Sequence, residues 1–167
     1  MVSYTVNKME PPQIQEEKLY ADARAALDAC VAELFDQAFD LADDYMRHVD
    51  KYEDTNAGWG SRSSLQLSCT RKGSHLDLKW TGVRWFGGKN NRQSVREAIP
   101  KNKETLGYSK SKLSEYAKDW EIAKVLETEA KLNLIRRKGT HIVKAQIALS
   151  NALRVLRANL DDPEASD

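Results

Sequence analysis

Hydrophobic and polar residues alternate along Leu65–Thr70 and again along His75–Thr81. Leu65, Leu67 and Cys69 fall on one side of the first run, with Gln66, Ser68 and Thr70 on the other. In the second, Leu76, Leu78 and Trp80 oppose His75, Asp77, Lys79 and Thr81. A period of two sends successive side chains to opposite faces, so both runs read as half-buried antiparallel strands. Arg71-Lys72-Gly73-Ser74 between them is a tight turn in which Gly tolerates positive φ. A third run, Gln93 to Ile99, carries Val95 and Ile99 on one face and Ser94, Arg96 and Ala98 on the other. Pro100 ends it, having no N–H to donate to a ladder. The turn before it, Gly87-Gly88-Lys89-Asn90-Asn91, is longer and basic. Together these predict a three-stranded antiparallel sheet over 63–100.

On either side the period changes to three and four. Pro11-Pro12 followed by Glu16 and Glu17 is a helix start, since Pro fits the first turn and carboxylates suit the positive dipole end. Leu19, Ala23, Leu27, Val31 (or Cys30), Leu34, Ala38, Leu41, Tyr45 and Val49 then form one apolar stripe, predicting a long helix over 13–54. Phe35, Phe39 and Ala42 widen the stripe toward more than one neighbour. Thr55–Ser64 is a Gly/Ser-rich connection in which Trp59 reads as a core plug, the other reading being an exposed stacking surface. Lys101–Lys112 is a polar basic loop, after which Ser109 or Ser111 caps a second helix. Its stripe is Leu113, Tyr116, Ala117, Trp120, Ala123, Leu126, Ala130 and Leu134. Arg136-Arg137-Lys138-Gly139 reads as a helix end, with cations in the last turn and Gly beyond it. Thr140 then caps a third helix with Ile142, Ala145, Leu149, Leu153, Leu156 and Leu160 inward. One unbroken helix from Lys112 to Leu160 is the alternative. The expected architecture is a single α+β domain: a flexible arm at 1–12, an acidic helix at 13–54, the sheet at 63–100, a helical region at 109–160 and a flexible tail at 161–167.

The formal net charge of +1 conceals an asymmetry. Gln13–Asp54 has 4 Lys/Arg against 12 Asp/Glu, net −8, whereas Thr55–Lys112 has 12 against 3, net +9. The basic segment will attract polyanions and the acidic one repel them, unless the helix merely neutralises the sheet. Cys30 and Cys69 fit no metal-ligand spacing and read as buried thiols in a reducing cytoplasm. The N-terminus lacks a signal-peptide pattern, and no run approaches the ~18 apolar residues of a membrane span.

Candidate function therefore lies on the polar side of the sheet. Gln66, Ser68, Thr70, Lys79, Thr81, Arg84 and Arg96 are expected to share it, with Arg71, Lys72, Lys89 and Arg92 on the turns. Cations reach phosphates, amides and hydroxyls reach base edges, and a small β-sheet enters the major groove of double-stranded DNA. The cations Arg71, Lys72, Lys79, Arg84, Lys89, Arg92 and Arg96 are candidates for contact mainly to phosphates and secondarily to a guanine, while Gln66, Ser68 and Thr70 are candidate base readers. A merely solvated polar face is the competing reading. Catalysis has little to stand on: His48, His75 and His141 sit at no metal or triad spacing, and no Gly-rich phosphate loop precedes a helix. No cofactor is implied.

The order of the basic RKG turn, LDLKW, VRW, a third strand ending IPKNKE, then GYSKSKL and YAKDWEIAKVLETEAKLNLIRR resembles the MobI family of conjugative-transfer accessory proteins over residues 65–135. The resemblance implies a relaxosome helper acting at an origin of transfer beside a relaxase, which itself does the nicking. The long Ala- and Leu-rich stripes also suit a homodimer or a helical adaptor without DNA contact.

Overall fold

The computed structural model describes residues 12–161, with side chains over 14–158. The arm and tail expected at the termini otherwise lie outside the described residues. The chain is α+β: helix α1 (Pro12–Thr55), a 3-10 turn (Trp59–Ser61), strands β1 (Leu65–Lys72), β2 (His75–Phe86) and β3 (Gln93–Ala98), the short helix α2 (Lys110–Ser114) and helix α3 (Ile122–Asp161). The sheet is antiparallel in the order β1-β2-β3.

Register decides which face each side chain takes. Leu67 opposes Trp80, Cys69 opposes Leu78 and Leu65 opposes Gly82, so these six share one face. Helices α1 and α3 cover that face, burying Leu65, Leu78 and Trp80 with Leu34, Ala38, Tyr45, Val49, Val125, Leu132 and Ile135. Tyr45 of α1 meets the Trp80 ring edge-on at 4.9 Å, an arrangement favoured by the ring quadrupoles. The β1–β2 turn is tighter than expected: Gly73, at φ 59°, and Ser74 alone connect the strands, while Arg71 and Lys72 stay paired in β1 with Leu76 and His75.

Two carboxylates are buried in this core and fully engaged, as buried charges must be. Glu129 accepts from Trp80 Nε1 (2.8 Å) and the Tyr108 amide (3.0 Å), and pairs bidentately with Arg136 at 2.8 and 3.0 Å. Arg136 Nε also donates to the Leu78 carbonyl at 3.1 Å. Glu121 accepts from Tyr45 (3.0 Å), Ser63 (2.7 Å) and the Lys118 amide (2.9 Å).

These two carboxylates correct the expectations for the C-terminal helices. Ser109 does cap a helix, its Oγ accepting from the Lys112 amide, but that helix is five residues long. Glu121 folds back onto Lys118 and closes a turn, so the long helix starts only at Ile122. It does not end at Gly139. Arg136 is turned inward to Glu129 instead of capping a terminus, and Gly139 lies buried where an added Cβ would sit 3.8 Å from Leu76. That is ordinary van der Waals contact, so the glycine sits within a helix packed on the sheet and marks no terminus, and α3 runs on to Asp161 as the unbroken alternative has it beyond this point.

Other placements differ too. Cys30 is exposed and Cys69 only half-buried, because Cys30 sits beside the stripe position that Val31 fills completely. Phe39 is 55% exposed and so does not widen the core, whereas Ala42 is buried. Past Val31 and Gln146 the two long helices continue as an isolated antiparallel pair, joined by Asp28–Gln146 (2.6 Å), Arg24–Ser150 (3.1 Å) and Glu17–Arg157 (2.7 Å).

Candidate nucleic-acid interface

The face of the sheet turned away from the helices carries Gln66, Ser68, Thr70 and Lys72 of β1, Asp77, Lys79, Thr81, Val83 and Trp85 of β2, and Ser94 and Arg96 of β3. Gln66 pairs with Thr81, Ser68 with Lys79 and Thr70 with Asp77, so the three polar residues of β1 form a row beside the cation at its centre. Arg96 opposes Val83 across the β2–β3 ladder. Gln66, Ser68, Thr70, Lys72, Lys79 and Arg96 are all exposed. Two strand spacings make the backbone of such a face about 10 Å wide, comparable to a major groove of about 12 Å.

The face is cationic in balance. Among the described residues its only carboxylate is Asp77, held by Lys79 at 2.5 Å; that contact raises the Lys79 pKa above its ordinary value. Lys72, Lys89 and Arg96 have no ion-pair partner among the described residues. Helix α1 does not neutralise the sheet, since none of its described carboxylates pairs with a cation of β1, β2 or β3. Its acids go elsewhere: Asp43 to Arg47 (2.8 Å), Asp44 to Lys124, and Glu53 to Arg62 (2.6 Å) just ahead of β1.

Two arginines differ from expectation, Arg84 from the polar face and Arg71 from a turn. Arg84 shares its parity with Trp80 and Gly82 and lies on the helix side of the sheet, opposite Val95. There it pairs with Glu97 at 2.6 Å and donates to the Tyr116 hydroxyl at 3.4 Å. Counting inward from Trp80 would have shown this; the expected grouping followed charge instead of parity. Arg71 belongs to the end of β1, also with helix-side parity, and its Nε donates to the Gly73 carbonyl at 2.8 Å. Lys89 sits in the β2–β3 turn, as expected. Arg92, just before β3, lays its guanidinium 3.8 Å from the ring centre of Trp59.

Trp59 itself is a correction. It is 57% exposed and meets the half-exposed Trp85 edge-on at 5.8 Å, forming an aromatic end to the open face. The Gly58 backbone, at φ 106°, turns the chain so that Ser61 and not Trp59 becomes the buried residue of the 3-10 turn.

A second basic feature was not singled out from sequence. Lys101, Lys103, Arg136, Lys144 and His75 line a cleft of about 580 Å³ beside the β1–β2 turn. Burial and the neighbouring Arg136 lower the Lys101 pKa. A helix read as ending at Gly139 could not bring Lys144 to this place; only continuity of α3 does so.

The sequence that builds this sheet matches a known family. The family model described as MobI protein matches residues 34–150. The chain belongs to the MobI family. Membership makes it a protein of conjugative mobilisation, and the match exceeds the 65–135 stretch that carries the resemblance in sequence. It takes in the whole sheet, the turn bearing Trp59 and the segments of α1 and α3 packed on the sheet. Most of the isolated helix pair, Pro12–Glu33 and the end of α3, lies outside it. No curated protein and no solved structure matches the chain. No described helix of this MobI-family protein is long and apolar enough to cross a membrane.

Proposed function

We propose that this protein is a non-catalytic accessory factor of conjugative transfer that binds duplex DNA at an origin of transfer and assists a relaxase. The observation that carries the reading is the open sheet face, where Lys72, Lys79 and Arg96 surround Gln66, Ser68 and Thr70 with Asp77 as the one described carboxylate. Phosphate contacts from the cations fix register on the duplex, and the amide and hydroxyls read base edges. Lys89 extends the cationic surface from the adjoining turn. Arg71 and Arg84 belong to the other face and take at most a peripheral part.

The test is a mobility-shift titration on the host element's transfer origin against random duplex of equal length. Lys72→Ala with Lys89→Ala should weaken both alike, since a cation at the last position of β1 and one on the β2–β3 turn lie at the margins of the face and meet backbone only. With about four phosphates neutralised, log K should fall with log salt at a slope of roughly −4. Binding that ignores salt, or survives loss of Lys72, Lys89 and Arg96 together, would remove the sheet as the DNA surface.

A second reading, compatible with the first, is favoured by the isolated helix pair. Leu19, Ile147 and Val155 are 60%, 56% and 63% exposed on it, and two helices alone leave such residues without cover. A second copy seated there gives a two-fold dimer that presents two open faces to a two-fold DNA site. Light scattering that returns a monomer mass at high micromolar concentration would dispose of this reading, and the helix pair would then be open to the relaxase or another relaxosome protein.

A further inference from the structure

Trp59 and Trp85 wall a cleft of about 490 Å³ whose remaining lining is Glu53, Gly58, Arg62 and Ser63. The residues that present Trp59 are anchored on every side. Ser61 is buried and donates to the carbonyls of Asn56 (2.8 Å) and Gly58 (2.6 Å). Trp120 Nε1 donates to the Gly60 carbonyl at 3.3 Å, and Glu53 accepts from both Arg62 Nη1 (2.6 Å) and the Ser63 amide (2.8 Å). The exposed indole is thus held outward by a built turn. Two large aromatic side chains left in water next to each other form the kind of patch that marks a binding site.

The chemistry of the cleft selects its occupant. Inside it the Glu53 carboxylate is neutralised by Arg62 at 2.6 Å and by the Ser63 amide. At the rim stand Arg92, lying over one face of Trp59, and Arg96 and Lys89, on the strand and turn beyond, cations without a carboxylate partner among the described residues. That division, aromatic walls over a charge-compensated polar floor within and those cations at the rim, fits a nucleotide whose base enters and whose backbone stays outside. A base paired in a duplex has its faces covered by its neighbours and cannot reach either indole. We propose that the Trp59–Trp85 cleft stacks an unpaired DNA base, so that the protein holds duplex through the open face and a melted or mismatched position through the cleft. This rests on the DNA-binding reading above and names the form of DNA it takes.

The experiment titrates the full-length protein by fluorescence anisotropy into three probes: a paired duplex, the same duplex with a central run of mismatches, and one separated strand. The mismatched duplex should bind more tightly than the paired one. Trp59→Ala and Trp85→Ala should each weaken mismatched duplex and single strand by about tenfold or more, the usual loss for one stacked base, and Trp59→Ala, which lies outside the strands, should leave paired duplex unchanged. Trp59→Phe should recover part of the loss, and unchanged thermal melting of Trp59→Ala separates lost stacking from lost folding. Paired duplex bound with no preference for mismatches, or variants that keep that preference, would overturn the cleft assignment and leave the DNA-binding reading standing. No affinity of the wild type for any probe would overturn both. Tryptophan variants that bind all probes normally but lose a relaxase would make the patch a protein-docking surface and overturn the assignment.

Discussion

Tyr116 lies across the face of Gly82, so close that a Cβ on the glycine would sit 2.2 Å from the ring. The Tyr116 hydroxyl donates to Glu97, which pairs with Gly82 across the β2–β3 ladder. One tyrosine from the segment after α2 therefore fixes both strands at once, and the strand must be bare where the ring crosses it. Gly82→Ala should destabilise by about 1–3 kcal/mol through overpacking. Adding Tyr116→Ala should return part of that loss, a coupling that urea unfolding of the four-member cycle will read.

Arg136 and Glu129 are 7% and 5% exposed, and their pairing joins α3 to the Trp80 side chain and the β2 backbone. Arg136→Met leaves the Glu129 carboxylate buried with only Trp80 Nε1 and the Tyr108 amide. Breaking a buried pair from one side costs about 3–5 kcal/mol. Arg136→Met with Glu129→Gln should be less destabilised than Arg136→Met alone, as judged by denaturant midpoint at unchanged slope.

Hydrogen bonding from Tyr116 first, and from Arg84 second, holds the Glu97 carboxyl below its ordinary pKa of 4.5. Lys124 does the same for Asp44, and Lys131 for Glu127. A depressed folded pKa means that the unfolded chain takes up the proton more readily. The stability these groups contribute is therefore complete above the unfolded value and is lost as pH falls through the folded one. Thermal melting should be level at neutral pH and decline below about 4.5, with a shallower decline in Glu97→Gln.

The sheet was legible because period-two alternation and two Gly turns act locally, and the first helix because its stripe is long and begins at a proline. What the alternation could not deliver was the far end of β2. From Gly82 onward the sheet outruns the helices, so Trp85 and Phe86 are both about half exposed and burial no longer distinguishes the faces. Arg84 was grouped by its charge, although parity already placed it with Trp80. Trp59 between two glycines reads either as a core plug or as an exposed stacking surface, and its outward direction depends on Gly58, Ser61 and Trp120, residues with no periodic signal. The break before Ile122 and the continuity through Gly139 were hidden for a related reason. Both are set by buried carboxylates whose partners lie 58 and 49 residues away for Ser63–Glu121 and Trp80–Glu129.

Arg84 and Arg96 lie on neighbouring strands yet face opposite ways, and this offers a sharp test of which side meets DNA. Arg96 is on the open face without an ion-pair partner among the described residues, whereas Arg84 is engaged by Glu97 at 2.6 Å on the other. Arg96→Ala should weaken DNA binding and, if it meets a phosphate, flatten the salt slope by about 0.9. If it meets a guanine instead, the gap between origin and random duplex should narrow by about 1–3 kcal/mol. Arg84→Ala should leave slope and specificity alone and lower the melting temperature, because Tyr116 and Glu97 lose their shared partner. The reverse pattern, with Arg84 governing salt dependence and Arg96 silent, would place DNA on the helix side of the β2–β3 hairpin and force the interface to be redrawn there.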